Sequence, residues 1–325
     1  MPGPFFIVGN DRSGTTMLRL ILDRGPDVAI PPESMFLTDF APAFERGEPR
    51  DAQAATRFIE DVWTHPKVQL WELPGDPPRV PLGLEPHDAY RFVVEAPFKA
   101  YAARHGKPGW GDKTPHYVHH VDHLLAVWPG ARFVVLVRDG RDVALSLRKM
   151  PFGPNNAWAA ASWWARGIRA GEAAQRAHPD AVLTVRYEEL AQQPREVVPR
   201  ICEFLSLSYS EDMLALERAD PAKIVSDQAS WFPTLFDGIN TTAVARWRRE
   251  MSVRDQRVFE ASAGPELARL GYELATDGAH RVSPLQARWF HYQNELRRNV
   301  NFLRLRLVQE RGRELRFALA RRRGG

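Results

Sequence analysis

Cysteine is almost absent from this chain. Cys202 is the single one in 325 residues, which excludes an internal disulfide and fits a reducing compartment. Long apolar runs are missing as well: none approaches the roughly 18 residues that would span a bilayer. The start, Met1-Pro2-Gly3-Pro4, passes straight into Phe5-Phe6-Ile7-Val8. It lacks the basic stretch, long apolar segment and cleavage site of a secretory leader, so the expectation is a cytoplasmic protein. Internal repeats and low-complexity blocks are lacking too. Acidic residues are scarce at one end: residues 281–325 hold twelve arginines against Glu295, Glu310 and Glu314, a balance of +9. The whole chain is +4, so residues 1–280 sum to −5. The basic character thus belongs to the tail, says nothing about the body, and gives no reason to expect a nucleic-acid partner.

What is present fits an ordinary globular protein, with 44% hydrophobic and 26% charged residues. The length predicts one large domain with an appendage, placed at 1–275 and 276–325. Pro4 to Gly9 reads as a short strand, followed by a glycine-containing turn and a helix over Thr16 to Arg24. A brief strand covers Val28 to Ile30. Residues 38–64 read as helical, 65–88 as an irregular loop rich in proline and glycine, 89–105 and 115–128 as helices. The uninterrupted apolar run Ala131 to Val137 suits a central parallel strand buried on both faces. Helices follow at 140–150 and 155–178, a strand at 181–185, and mainly helix to about 275. The order predicts an α/β, P-loop-like three-layer fold: a central parallel sheet flanked by helices, plus a C-terminal helical extension. That extension, Pro284 to Arg323, carries Leu285, Trp289, Tyr292, Leu296, Val300, Leu303, Leu307 and Leu315, spaced by threes and fours over much of its length. It reads as a basic amphipathic helix packed on its own domain or on a second subunit, with an anionic membrane surface or a nucleic acid as the alternatives.

The most informative segment is Gly9-Asn10-Asp11-Arg12-Ser13-Gly14-Thr15-Thr16. Its G-x-x-x-x-G spacing between a strand and a helix is that of a phosphate-cradling loop, where backbone N–H groups and a helix N-terminus converge on an anion. Position 15 is threonine where a nucleotide triphosphatase carries lysine, which weakens an ATP or GTP reading, and Arg12 puts a cation inside the loop instead. A plain glycine-rich bend remains an alternative for this segment alone. A second group narrows the choice. Arg138 ends the buried strand, and Ser146 lies eight residues on, about two turns into the next helix. Ligands of open α/β sheets gather at the carboxyl ends of strands, and an arginine fork plus a hydroxyl suits a second phosphate. Two anion grips suit a nucleotide phosphorylated at both its 5′ and 3′ positions.

The pair FIVGNDRSGTTMLRLIL and RFVVLVRDGRDVALSL resembles the 5′-phosphosulfate and 3′-phosphate motifs of sulfotransferases that use 3′-phosphoadenosine 5′-phosphosulfate (PAPS). The likeness is greatest to the branch of tyrosylprotein and bacterial sulfotransferases. GDKTP at 111–115, VRYEEL at 185–190, ARWRREM at 245–251 and ARLGYEL at 268–274 agree with it, so it covers about 1–275. The resemblance implies that Arg12, Ser13, Gly14, Thr15 and Thr16 hold the 5′-phosphosulfate, and that Arg138 and Ser146 hold the 3′-phosphate. It implies that Lys113 steadies the transferring group or its leaving phosphate, that Tyr187 lines the nucleotide site, and that Ser226 lies near the leaving group. Glu33, in Pro31-Pro32-Glu33-Ser34, is placed like the general base of the tyrosylprotein branch. The reaction implied is in-line sulfuryl transfer from PAPS to an acceptor hydroxyl on a small molecule, glycan, lipid or peptide tyrosine, leaving PAP and needing no metal.

Each assignment has a plainer reading. Glu33 by itself is a loop carboxylate. His116, His119, His120 and His123 fall at helical spacing, but no HExxH accompanies them, so packing or a surface role is expected rather than metal. His116, nearest Lys113, is the reserve base. Trp158, Trp163 and Trp164 read as core, and Trp247 either lies near the nucleotide or anchors its helix. The rival functions are a P-loop kinase or nucleotide hydrolase, and an inactive module that binds PAP without turnover.

Overall fold

The structure is a computed structural model of the chain; it describes residues 3–148, 150, 153–220, 236–276 and 280–301. Ser226 lies outside these residues. The chain divides into two compact units, residues 1–138 with 167–244, and residues 139–166 with 245–325.

The first unit contains every strand of a five-stranded sheet among the described residues: β1 (Phe5–Gly9), β2 (Val28–Ala29), β3 (Gly109–Lys113), β4 (Arg132–Val137) and β5 (Val182–Arg186). All pairings are parallel, in the order β2-β3-β1-β4-β5. Parallel neighbours need crossover connections, which helices supply here, and this is the P-loop-like α/β arrangement predicted above. Strand order reverses at β1: the chain first places β2 at the far edge and fills in β3 between it and β1, then adds β4 and β5 on the other side. A crevice for ligands is expected at the carboxyl end of such a switch point.

Both faces of the sheet are buried, which is why β1 and β4 read as continuous apolar runs. Phe5 and Ile7 join Val134 and Leu136 in a core with Leu18, Ile21, Val198 and Ile201. On the opposite face, Phe6 stacks on Phe133 at 5.1 Å and meets Trp128 at 5.7 Å and the edge of Trp110 at 6.1 Å. Strand β3 is the element that strand propensity does not announce, since Gly109-Trp110-Gly111-Asp112-Lys113 contains two glycines. Its pairing explains one of them. Gly111 lies opposite Phe5, and a Cβ at Gly111 would sit 2.4 Å from the Phe5 ring.

Two expected helices are broken up. The 38–64 stretch forms Phe36–Asp39, Ala41–Glu45 and Ala52–Trp63. Gly47, in the left-handed region at φ +63, ends the second piece, and Asp51 starts the third by accepting a hydrogen bond from Ala54 N at 2.7 Å. The 115–128 stretch is a 3₁₀ turn, Pro115–His119, then a helix, Val121–Val127, because His120 leaves helical geometry at φ −129, ψ 20. The four histidines therefore do not share one helix. Among the described residues no cluster of three His, Cys, Asp or Glu is disposed to hold a metal.

The second unit is organised around a buried arginine. The helix Gly140–Leu147 carries Arg141, which is fully buried. Its guanidinium donates to Asp139 Oδ2 at 2.7 Å, to Asp139 Oδ1 at 3.0 Å and to Glu260 Oε1 at 2.7 Å, and lies 3.5 Å from the centre of the Trp247 ring. Glu260, on the helix Val253–Arg269, also accepts from Ala275 N, Thr276 N and the Thr276 hydroxyl. Asp142 accepts from Trp247 N at 2.7 Å. Trp247 is thus the anchor of its short helix. Of the three clustered tryptophans only Trp164 is fully buried, packed on Phe259 at 5.9 Å, while Trp158 and Trp163 are half-buried.

Candidate active site

Each strand of the sheet delivers a sequence-predicted residue at or just beyond its carboxyl end. β1 leads to Arg12 through Thr16, β2 to Glu33, β3 ends on Lys113, β4 is followed by Arg138, and β5 by Tyr187. The alternation and burial of the strands fix these positions; the loops then aim the side chains.

The loop after β1 turns sharply. Gly9 (φ +142) lies so close to β4 that a Cβ would sit 2.4 Å from Leu136 O. Ser13 N donates to Asn10 O at 3.2 Å, and Gly14 (φ +94) precedes the helix Thr15–Asp23. Arg12 holds φ +68, a region that non-glycine residues seldom enter and that recurs at functional sites. The Ser13 hydroxyl is fully buried and has no hydrogen-bond partner among the described residues, an orphan that an anion seated in the loop would satisfy. Tyr187 floors the loop: a Cβ on Gly14 would lie 2.4 Å from its ring, and Arg138 stacks over the same ring at 4.5 Å. Arg138 also donates to Arg12 O at 3.0 Å and to Ala243 O at 2.6 Å, so it braces the loop from the β4 side.

Glu33 and Lys113 form an ion pair, Nζ to Oε1 2.5 Å. Lys113 is nearly buried, while the Glu33 side chain keeps 34% of its exposure. Burial alone would raise the Glu33 pKa, but the charge and hydrogen bond of Lys113 outweigh it and the net shift is downward, so Glu33 is ionised. A small network sets this pair. Ser34 N donates to Thr114 Oγ1 at 3.1 Å, and Tyr117 Oη meets Ser34 Oγ at 2.9 Å and accepts from Leu37 N at 3.1 Å. Three residues before Glu33, Asp23 accepts from Ile30 N at 2.8 Å and buried Arg19 donates to Ile30 O at 3.4 Å. The loop carrying Glu33 is therefore held at both ends.

The surrounding charges act on one another. Asp11 is pushed up to about 6, first by burial and then by Glu33, with Lys113 and Arg12 opposing. Arg12 is brought down to about 10 by burial and by Arg138. Asp112, fully buried beside Lys113, is raised to about 7 by burial. The hydroxyls of Thr114 and Ser34 lie near enough to favour its ionised form, yet neither carboxylate oxygen receives a directed hydrogen bond.

The structure thus brings together Arg12, Glu33, Lys113, Arg138 and Tyr187. Ser146 belongs to the second unit, half-buried on the helix Gly140–Leu147. His116 pairs its ring with His119 and His120 instead of a carboxylate, its Nε2 lying 3.4 Å from that of His120. The sequence argument missed Asp11, Ser34, Asp112 and Tyr117. All four sit beside residues it had singled out, but nothing local marks Tyr117, because its partners lie about eighty positions away.

The profile of the Sulfotransferase family matches residues 4–211. A putative protein-tyrosine sulfotransferase of Caenorhabditis briggsae is 28% identical over 279 residues, covering 83% of this chain and 89% of that protein. Nodulation protein NoeE of Sinorhizobium fredii is 26% identical over 309 residues, covering 84% and 67%. Among solved structures, the sulfotransferase domain from the curacin biosynthetic pathway has a TM-score of 0.54 at 18% identity, covering 84% of this chain and 99% of that domain, a likeness of fold. The family profile covers every strand of the sheet together with the loops that bear Arg12, Glu33 and Lys113, and this chain belongs to the sulfotransferase family.

Proposed function

We propose that this chain transfers the sulfuryl group of PAPS to an acceptor hydroxyl, and that the convergence of Asp11, Arg12, Glu33, Lys113 and Arg138 at the carboxyl ends of four strands is the site of transfer. That convergence carries the reading, because its charges lie close enough to one another to shift the protonation of Asp11, Arg12 and Glu33. The buried, unpartnered Ser13 hydroxyl and the turn before Thr15–Asp23 fit the phosphate of a nucleotide. Arg12, Ser13, Gly14, Thr15 and Thr16 would hold the 5′-phosphosulfate. Arg138 would hold the 3′-phosphate, with Tyr187 beneath the loop. PAPS supplies a sulfuryl group on a good leaving phosphate.

Glu33 takes the proton of the acceptor hydroxyl as the new oxygen–sulfur bond forms and the bond from sulfur to the phosphate oxygen breaks. Its low pKa keeps it ionised and ready, at the expense of basicity. Lys113 is released from Glu33 toward the charge that grows on the leaving oxygen, which returns basicity to Glu33 as the proton moves. Arg12 neutralises the sulfonate and the phosphate from within the loop. This is catalysis by positioning and fixed charge, as in phosphoryl transfer. The relatives named for protein-tyrosine sulfation support a phenolic hydroxyl as acceptor.

Calorimetric titration tests the nucleotide half of the reading. PAP is expected to bind with one-to-one stoichiometry in the presence of a chelator, and Arg12→Ala to weaken it. Tight, magnesium-dependent binding of ATP with no binding of PAP would favour a kinase or hydrolase and overturn the reading.

A further inference from the structure

The helix over 284–301 packs the wrong way round for a soluble protein. Hydrogen bonds tie it to the rest of its unit. Asn294 Oδ1 accepts from Asn155 N at 2.8 Å, Phe290 O accepts from Asn156 Nδ2 at 2.7 Å, Arg297 donates to Asn155 O at 3.4 Å, and Asn301 Nδ2 donates to Asn155 Oδ1 at 3.2 Å. The apolar stripe lies on another face. Leu285, Trp289, Tyr292, Leu296 and Val300 follow one another in steps of four, three, four and four, which places them along one side of a helix. They remain 78%, 59%, 59%, 53% and 39% exposed. Trp289 and Tyr292 adjoin at 6.1 Å between ring centres.

We propose that this stripe docks the protein on an anionic lipid surface, with the helix lying in the plane of the headgroups. Three observations select that occupant. The stripe joins aliphatic residues to a tryptophan and a tyrosine, side chains with an apolar body and a polar tip that suit the boundary between headgroup and acyl chain. The segment 281–325 has a balance of +9, and two copies laid side by side would set that charge against itself, whereas a sheet of phosphate headgroups complements it. No helix among the described residues is long and apolar enough to cross a membrane, so the contact is interfacial. Exposed aliphatic and aromatic side chains also give a nucleic-acid backbone nothing to pair with. Docking would hold the enzyme at a surface and so raise the local concentration of acceptors displayed there.

The test is co-sedimentation of the full chain with vesicles of phosphatidylcholine alone or with roughly one third phosphatidylglycerol. The bound fraction is expected to be about tenfold higher on the anionic vesicles and to fall steeply with added salt. The double variant Leu285→Ser, Trp289→Ser should lose most of that binding with unchanged melting, and Arg288→Glu, Arg298→Glu should lose the preference for anionic lipid. Three outcomes would overturn the proposal. One is no binding to anionic vesicles. Another is binding by the serine variant equal to that of the wild type, a purely ionic attachment. The last is a concentration-dependent dimer, or retention on duplex DNA, in a protein that ignores vesicles.

Discussion

At the residue scale the account rests on the Glu33–Lys113 pair. Removing the ammonium should cost on the order of a hundredfold or more in kcat, the usual loss for one well-placed charge at a reacting centre. It should also do something a structural lysine would not. In Lys113→Ala, burial acts on Glu33 without its main counterweight, so the Glu33 pKa rises. The acid limb of the residual pH–rate profile should therefore move to higher pH; an unmoved limb would show that Glu33 does not titrate in the reaction. Asp112 provides a separate pH test. Its folded pKa, about 7, lies above its ordinary value of 3.8. Between those values the folded state holds the proton more tightly than the unfolded chain, so this group's stabilisation is complete below pH 3.8 and is lost as pH rises toward 7. Asp112→Asn should flatten the fall in melting temperature over that window and stabilise the protein at pH 8 by on the order of 1 kcal/mol, a few degrees. A fall as steep as in the wild type would contradict the assignment.

At the scale of elements, legibility followed local patterning. β1, β4 and β5 announce themselves by apolar β-branched and aromatic runs, and the loop Gly9–Thr16 by its glycines, so the loop end of the proposed site is readable from spacing. β3 is not, because Gly111 exists to admit the Phe5 ring from the neighbouring strand, and that requirement is set by pairing. Lys113 was accessible only as part of a motif, whereas the strand that aims it was invisible. The same holds for the clamp on Glu33. Tyr117→Phe removes the acceptor for Leu37 N and the partner of the Ser34 hydroxyl. Kinetics should show kcat falling about tenfold with the apparent affinity for PAPS little changed, since a small misplacement of a base costs rate before binding. A variant with wild-type kcat would reduce Tyr117 to a packing residue.

For the whole molecule, the fold class and the gathering of ligand groups at strand ends could be argued in advance because parallel sheets obey strict rules of connection. The two-unit division could not, since residues 139–166 join residues far down the chain. The second unit draws on Arg141, which sits in the same short motif as Arg138 and looks like another anion ligand. It is instead locked to Asp139, Glu260 and Trp247. Glu260→Gln leaves a buried guanidinium short of a counter-charge and should destabilise the protein by about 3 kcal/mol, read as a lowered melting temperature with PAP affinity retained at low temperature. Unchanged melting would mean that the pair contributes nothing to the fold.

The claim that most depends on the geometry is that the strand-end charges perform sulfuryl transfer. Purified protein given PAPS labelled in its sulfur and a pool of phenolic and alcoholic acceptors should pass label to an acceptor, and Glu33→Gln should reduce that transfer at least about a hundredfold while still binding PAP. Transfer by Glu33→Gln at the wild-type rate, or no transfer by the wild type to any hydroxyl despite bound PAP, would contradict the account.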